Sequence, residues 1–338
     1  MTDRGVALLV VLWVMLVLSA LGLGIAAGVR SEVKSAHLAL DDERGWALAS
    51  AGIEKVIAEL LLDDRSVDYR GEQWRLQYVD PGVSGRGGEP GLRRVEVLDA
   101  DGELAGYFTV RIVDESGKFF LNTAAVSPEV KRDILARLLE ETPAEDPGAV
   151  ADCIVDWLDA DDEERRDGAE LEWYASLDEG VVPRNGAIPV MEELLLVRLV
   201  RDNAAIIYGD PEAGLPGLAD FVTLYDEGGL NVNAAPAAVL ESALDIDERE
   251  ALRVMDVRDG RDDTPGTADD VALDGAEALE LDKLTIDPYR RLRSAVKFTT
   301  EYFTLEATGE LPDGYSRTLV AVVHRLKDGC EVVSWRRR

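Results

Sequence analysis

The chain has 338 residues, enough for about two domains at roughly 150 residues each. It contains 36 Lys and Arg against 67 Asp and Glu, for a formal net charge of −31, and 46% of its residues are hydrophobic. This apolar content predicts a folded chain rather than a disordered acidic tail. Nucleic acids and anionic lipid headgroups are bound by clustered Lys and Arg, so the charge argues against a nucleic-acid partner.

Zinc chemistry and acid–base catalysis have little support in the composition. The two histidines, His37 and His324, and the two cysteines, Cys153 and Cys330, lie too far apart for a local zinc motif. Neither histidine sits in a recognisable catalytic motif, and no phosphate-cradling glycine loop is present, so we expect no enzyme. A disulfide between the two cysteines is left open.

The N-terminal region predicts a membrane span. Residues 6–29 are uncharged, and 24 helical residues reach about 36 Å, enough for a hydrocarbon core of about 30 Å. A buried core helix rarely runs uncharged for so long, and a cleaved signal peptide would use Ala26-Ala27-Gly28 as its nearest cleavage site. Arg4 gives a small positive-inside bias, which predicts a cytoplasmic N-terminus with the body of the chain across the membrane.

The helix is expected to continue beyond the span. Residues 31–62 contain no proline, and their apolar residues from Leu38 to Leu61 are spaced to form one stripe on a helix. We therefore predict one long helix whose second half packs on a globular domain.

The body reads as strands, then helices, then strands. Such an order indicates an α+β fold in which a helical domain is inserted into a sheet completed by the flanking strands. The predicted strands are 73–79, 92–98, 104–113, 295–310, 315–326 and 330–335, and the predicted helices are 128–141, 150–158, 190–200 and 235–244.

A faint internal repeat lies within the predicted insert. Residues 117–125 align with 228–236, so that Asn122 matches Asn233. Each Asn follows an extended apolar step and is predicted to cap a helix N-terminus. Two unrelated helix starts are the alternative.

The acidity is concentrated in two stretches. Residues 141–179 carry 15 acidic side chains against Arg165 and Arg166. Taking Asp159 as the first position of a calcium loop places acidic residues at several donor positions, but Glu164 stands where an EF-hand requires Gly. The stretch is not an EF-hand, and the remaining choices are a different oxygen-ligand site or a solvated acidic loop.

The second stretch spans residues 256–270 and includes turn-forming Gly260, Pro265 and Gly266. Its spacing fits no defined metal loop, and a solvated surface loop is an equal alternative. Its weaker candidate ligands are Asp259, Asp262, Asp263 and Asp269.

A short leader ending in Arg4-Gly5, followed directly by an apolar helix with an amphipathic continuation, resembles type IV pilins and type II secretion pseudopilins. The resemblance implies cleavage after Gly5 and N-methylation of Val6 by the prepilin peptidase. Most of that family carry Glu at the fifth mature position, where this chain has Val10, a departure shared by minor pseudopilin K. Further segments resembling that subfamily occur in family order at residues 113–122, 156–161, 168–170, 192–197, 230–236 and 302–309.

The resemblance implies a pilin-like α+β fold, with a long transmembrane helix on an antiparallel sheet and a large all-α insert between strands. Its expected parts are a leader (1–5), the span (6–29), the first pseudopilin segment (30–118), the helical insert with its acidic loops (119–290) and the closing strands (291–338). Pseudopilin K binds calcium in its insert, so the resemblance implies Ca²⁺ as a cofactor. The candidate ligands are Asp159, Asp161 and Glu170 first, then Asp156 and Asp162.

The expected function is that of a minor pseudopilin at the tip of the type II secretion pseudopilus. It would cap or initiate assembly with other minor pseudopilins, from the bacterial inner membrane, with its C-terminal domain in the periplasm and possible contact with secreted protein substrates. One alternative is a membrane-anchored helix-hairpin-helix DNA-uptake protein, because residues 230–236 resemble the start of such domains. A membrane-tethered metal hydrolase is another, but the sequence offers no substrate-positioning bases.

Overall fold

The structure is a computed structural model that describes residues 3–84, 90–177, 180–225, 229–262, 264–275 and 296–338. The α-helices are α1 (Asp3–Leu62), α2 (Gln73–Leu76), α3 (Pro128–Leu139), α4 (Pro147–Leu158), α5 (Leu171–Ala175), α6 (Ala205–Tyr208), α7 (Ala237–Leu244) and α8 (Glu248–Arg258). The strands are β1 (Val79–Ser84), β2 (Pro90–Leu92), β3 (Val95–Leu98), β4 (Leu104–Asp114), β5 (Phe119–Phe120), β6 (Val222–Thr223), β7 (Leu230–Asn231), β8 (Val296–Lys297), β9 (Tyr302–Glu310), β10 (Ser316–Leu326) and β11 (Gly329–Arg337).

Helix α1 is a single helix of 60 residues, about 90 Å long. The side chains that the structure describes between residues 11 and 40 are exposed. Further along, Ala49, Ile53, Val56 and Leu60 are buried at helical spacing. The predicted long helix is confirmed: one half presents apolar side chains outward, and the other half packs on the sheet.

Five strands form an antiparallel sheet in the order β11-β10-β9-β4-β3. Strand β4 precedes the insert and β9 follows it, yet the two pair directly, with Asp114 opposite Phe303. Helix α1 lies against this sheet, so closely that a Cβ on Gly309 would stand 2.2 Å from the carbonyl oxygen of Gly45. The predicted α+β fold, with an N-terminal apolar helix on an antiparallel sheet, is confirmed.

The apolar side chains separate into two buried clusters. One joins α1 to the sheet and includes Phe108, Phe303 and Ala321. The other lies within the segment between β4 and β9 and includes Trp157 and Tyr174. Each part therefore has its own hydrophobic core, as expected for an inserted domain. The exact boundaries at 118/119 and 290/291 stay predictions, and residue 290 lies outside the described part.

Two predicted elements are wrong. The strand predicted at 73–79 is mostly the turn α2, where Arg75 points inward and its guanidinium lies 2.6 Å from Asp114. The helix predicted at 190–200 is only a 3₁₀ segment, Met191–Leu196. Its continuation is prevented because the Arg198 N–H donates to the Tyr174 hydroxyl and Leu199 adopts a φ of +67°.

The two Asn residues of the internal repeat make equivalent contacts in the structure, but these are not the contacts that the sequence predicted. Asn122 does not cap a helix: its side chain donates to the Ile188 carbonyl and accepts from the Ile188 N–H. Asn233 makes the same two bonds with Leu273. The N-cap residues of helices α3 and α7 are instead Ser127 and Pro236, so the predicted Asn caps are wrong. Each Asn fastens a distant loop because its amide matches both polar groups of one peptide.

A carboxylate cluster in the helical insert

The end of α4 and the loop that follows it assemble the first acidic cluster. Asp146 is the N-cap of α4, and its side chain accepts from the Ala149 N–H. The helix is buried on nearly every face. Asp159 ends this helix in an extended conformation, and Glu170 precedes the first residue of α5. The loop between them is therefore held at one end by the buried helix α4 and at the other by α5, of which Tyr174 is buried.

Three of the five predicted ligands come together. One carboxylate oxygen from each of Asp159, Asp161 and Glu170 lies within 4.8 Å of the others. Glu170 is only 4% exposed, and neither of its carboxylate oxygens has a hydrogen-bond partner. The Oδ1 atom of Asp159 is also buried without a partner. Three buried oxygens, two of Glu170 and one of Asp159, thus lack a hydrogen-bond donor among the described residues.

The electrostatics reflect this crowding. Burial first, and then the charges of Asp156 and Asp159, together raise the pKa of Glu170 to about 7. Burial also raises the pKa of Asp159, although Arg165 opposes that effect. The cluster consequently favours a bound proton or a bound cation over three free charges.

Asp156 and Asp162 are placed differently. Asp156 is fully buried, and it accepts from the Arg165 guanidinium at 2.5 Å and from the Arg165 N–H at 3.1 Å. The same guanidinium nitrogen reaches Asp159 at 2.6 Å. Asp162 accepts a bond of 3.3 Å from the Asn185 side chain. Asp156 therefore anchors Arg165, which shapes the loop, whereas Asp162 links the loop to a neighbouring segment.

The donors present fit a hard divalent cation. Calcium takes six to eight oxygen ligands, chiefly carboxylates and carbonyls, and unpaired buried oxygens are what such an ion would satisfy. Asp159, Asp161 and Glu170 are the side chains that would hold it. Asn185, which the sequence analysis missed, contributes another buried unpartnered oxygen beside Asp161 and has a φ of +48°. No local motif marks Asn185, because it belongs to a separate loop.

The second acidic stretch does not form a comparable group among the residues that are described. The carboxylate of Asp259 pairs with Arg258 at 2.7 Å, and Asp262 and Asp269 both accept from the Thr267 hydroxyl. Asp263 lies outside the described residues. A metal site here stays a prediction.

A different carboxylate group was not found from the sequence. Asp63, Asp68 and Glu72 each place an oxygen within 4.8 Å of the others. They lie between α1 and α2, where Arg65 and Arg70 are interspersed among the acidic residues, so the sequence shows no large local excess of negative charge. Their proximity arises from the fold around Arg325, which contacts both Asp63 and Asp68.

The remaining positions singled out from the sequence are distributed along the chain. Gly5, Val6 and Val10 lie within the backbone of α1. Cys153 and Cys330 are both free thiols, and burial raises the pKa of Cys153 to about 12. The ring of His324 stacks on Tyr302 with centroids 4.1 Å apart, and His37 is exposed on α1.

Similarity to known proteins identifies the family. A family model described as type II secretion system (T2SS), protein K matches residues 117–205, which include the carboxylate cluster. The type II secretion system protein K of Pseudomonas aeruginosa is 30% identical over 271 residues, which cover 76% of this chain and 72% of that protein. The chain belongs to the type II secretion system protein K family.

A solved structure supports the same fold. The crystal structure of the GspK-GspI-GspJ complex from the type 2 secretion system of enterotoxigenic Escherichia coli contains a similar chain, with a TM-score of 0.56 and 15% identity. The match covers 92% of this chain and 99% of that one. Members of the protein K family are structural components of secretion, and this chain is a minor pseudopilin of the type II secretion system.

The apolar half of α1 agrees with this assignment. Among the described residues, α1 alone is long and apolar enough to cross a membrane. Together with the family, it supports a single-pass protein of the inner membrane.

Proposed function

We propose that this minor pseudopilin caps the tip of the secretion pseudopilus and initiates its assembly with other minor pseudopilins. Residues 6–29 would anchor it in the inner membrane, with the C-terminal domain in the periplasm, where it could meet secreted protein substrates. The similar chain of known structure was crystallised in a complex with two other proteins, GspI and GspJ, which supports partners of that kind. The observation that carries the capping role is Val10.

Val10 is important because it cannot neutralise the N-terminal amine of a neighbouring subunit in the apolar interior of the fibre. Packing apolar helices side by side buries the mature N-terminal amine of each subunit, and an unpaired buried charge costs several kcal/mol. Other family members are expected to offer a Glu at this position to the amine of a neighbour. A chain with Val10 can lend its own amine to the subunit below, but it offers no carboxylate to one above.

Crosslinking tests the capping role directly. Cysteines placed along the exposed face of α1 should capture neighbouring subunits on one side only. Deletion of the protein should reduce or misregulate pseudopilus formation, whereas Val10→Glu should be tolerated or mildly harmful. Subunits captured on both sides along the fibre axis would contradict a cap.

Processing follows from the leader. Cleavage after Gly5 with N-methylation of Val6 would leave a mature chain beginning at Val6, with the apolar helix intact. Intact-mass measurement and N-terminal sequencing of the membrane-extracted protein test this step. A mature N-terminus near residue 31 would indicate signal-peptide removal instead.

Calcium is proposed to stabilise the helical insert through Asp159, Asp161 and Glu170. A ligand that binds the folded state but not the unfolded state raises the free energy of unfolding by about 2.7 kcal/mol at a hundredfold excess over its Kd. Chelation should therefore lower the Tm, and Asp161→Ala should remove the difference between calcium and chelator. Glu164→Ala, an exposed substitution in the same loop, should retain it. Equal melting with and without chelator in the wild-type chain would count against the site.

Retention on DNA distinguishes the competing DNA-uptake function. With a net charge of −31, the chain should not be retained on DNA at physiological salt. Retention that weakens as salt rises would support the alternative.

A further inference from the structure

The loop between α1 and α2 contains a buried carboxylate group separate from the one in the insert. Asp63 follows α1 directly, and Asp68 and Glu72 precede α2. One oxygen from each lies within 4.8 Å of the other two. Asp68 is fully buried and Glu72 is 7% exposed, so water screens their mutual repulsion only weakly.

The hydrogen bonds leave part of this group unsatisfied. One oxygen of Asp68, Oδ2, accepts from the Thr300 N–H at 2.7 Å and from Arg325. The other, Oδ1, is buried with no partner, as is Oδ1 of neighbouring Asp114. A buried carboxylate oxygen without a donor is costly, and a cation or an ordered water molecule would satisfy it.

The charges facing the site do not balance. Four carboxylates interact here, those of Asp63, Asp68, Glu72 and Asp114. Among the described residues, two guanidinium groups form ion pairs with them: Arg325 lies 3.0 Å from Asp63 and also contacts Asp68, and Arg75 lies 2.6 Å from Asp114. Ionised, the group carries two more negative than positive charges, which a single divalent cation would neutralise.

We propose that Asp63, Asp68 and Glu72 form a second divalent-cation site, of the oxygen-ligand kind that suits Ca²⁺. Asp63 and Glu72 also line an open cavity between the end of α1 and α2, together with Tyr69 and Trp74. The cavity gives an ion a route from solvent and leaves space for water ligands, which calcium sites commonly retain.

A proton is the competing occupant. Burial raises the pKa of Glu72 to about 8, with Asp63, Asp68 and Asp114 adding to the effect and Arg75 opposing it. A proton on Glu72 would remove one of the two excess charges, whereas a divalent cation would remove both and also satisfy oxygens that a single proton leaves unpaired.

The location gives the site a structural role. The backbone carbonyl of Asp68 accepts from the Asn231 side chain at 3.1 Å, and the same amide donates to the Thr300 hydroxyl at 2.9 Å. Asn231 belongs to β7, within the segment between β4 and β9. An ion held by Asp68 would therefore fasten the end of α1 to the insert, at the joint between the two hydrophobic cores.

The test measures bound calcium per full-length chain in detergent, by equilibrium dialysis with ⁴⁵Ca. Asp161→Ala is introduced to disable the cluster in the insert, and Glu72→Gln or Asp63→Asn is then added. Glu54→Gln, an exposed position on α1, is the matched control. We expect one ion per chain in Asp161→Ala and in its Glu54→Gln derivative, and affinity at least about tenfold weaker with Glu72→Gln or Asp63→Asn.

The outcomes separate this site from the one proposed in the insert. The site formed by Asp63, Asp68 and Glu72 is called the joint site below. The proposal is overturned if Asp161→Ala binds no ion, or if adding Glu72→Gln or Asp63→Asn to it leaves calcium binding unchanged. If the wild-type chain binds one ion that Glu72→Gln weakens and Asp161→Ala leaves unchanged, the joint site stands and the calcium site in the insert fails. If Glu72→Gln raises the Tm in chelator and leaves calcium binding unaltered, the occupant of the site is a proton. That result also overturns the proposal.

Discussion

At the scale of single residues, two buried carboxylates at opposite ends of the acidic loop differ in their hydrogen bonding: Asp156 lies in the last turn of α4, and Glu170 directly precedes α5. Asp156 is fully buried, but Arg165 donates to both of its oxygens. Glu170 is almost as buried, and neither oxygen of its carboxylate accepts a hydrogen bond from the described residues. A Cβ on Gly168 would lie 1.9 Å from an Asp156 oxygen, so the loop closes tightly on the paired carboxylate. Burial alone therefore does not mark a candidate metal ligand; a buried carboxylate that also lacks a protein partner is the better candidate.

The unpaired state of Glu170 makes stability depend on pH. Its folded-state pKa of about 7 lies above the usual 4.5, so the folded chain holds a proton that the unfolded chain has released. The resulting stabilisation is full below pH 4.5 and is lost as the pH rises through about 7. In chelator, the Tm of the wild-type chain should fall between pH 5 and pH 8.

Glu170→Gln should flatten this profile and raise the Tm at pH 8 in chelator, because the neutral amide has no charge to bury. The same variant should gain less from added calcium than the wild-type chain. Thermal melts across the pH series measure both effects, with Glu172→Gln, an exposed neighbour, as control. Parallel profiles for Glu170→Gln and the wild type would contradict this origin of the pH dependence.

At the scale of elements, the contact between α1 and β9 depends on glycine. Gly309 lies so close to α1 that a Cβ there would meet backbone atoms of Gly45 and Ala49 at 2.2 and 2.6 Å. Backbone atoms cannot rotate away as a flexible side chain can. The absence of a side chain therefore sets the distance between helix and sheet.

We expect Gly309→Ala to destabilise the chain by at least about 1–3 kcal/mol, the usual range for overpacking a core. Gly329→Ala is the control, because no atom lies within 4 Å of the added Cβ at the β10–β11 turn. Urea unfolding followed by circular dichroism compares the two variants. Similar midpoints would show that α1 shifts at little cost.

The elements that the sequence predicted well are the long ones. Strands β4, β9 and β10 have 9 to 11 residues, and β9 alternates buried and half-buried positions along its whole length. The short turn α2 and the 3₁₀ segment Met191–Leu196 were missed because single contacts decide them, such as that of Arg75 with Asp114. Local periodicity carries no information about such contacts.

At the scale of the whole molecule, order along the chain was sufficient to predict an insertion. The order of elements was not sufficient to predict which residues from distant segments contact each other. Asp159, Asp161 and Glu170 could be named because they lie in one loop, whereas Asn185 and Arg325 reach their carboxylate clusters from distant segments. The pairing of Asn122 with Ile188 and of Asn233 with Leu273 is equally invisible from local spacing.

The separate cores predict that the sheet can fold without the insert. Replacing residues 115–301 by a short Asn-Gly turn would join β4 to β9 as a hairpin, since Asp114 already pairs with Phe303. We expect cooperative unfolding, with a lower Tm because Asp68 and Arg325 lose contacts to Thr300.

Near-ultraviolet circular dichroism and thermal melting of this shortened chain in detergent provide the measurement. The tertiary signal of the remaining aromatic residues should persist and disappear in one transition. Gradual loss of signal would mean that the sheet needs the insert to fold.

The direct pairing of β4 with β9 also determines how force passes through the molecule. The chain leaves the sheet at Asp114 and returns beside it at Phe303, so both covalent connections to the insert lie at the same end of these paired strands. A pull along α1, such as a growing fibre would exert, is resisted by the packing of the helix on β9 and by the ladders between strands. Because β4 and β9 pair directly, the backbone of the insert is not in series with α1 and the sheet under such a pull. The insert can therefore keep its conformation and its exposed surface while α1 and the sheet are under tension.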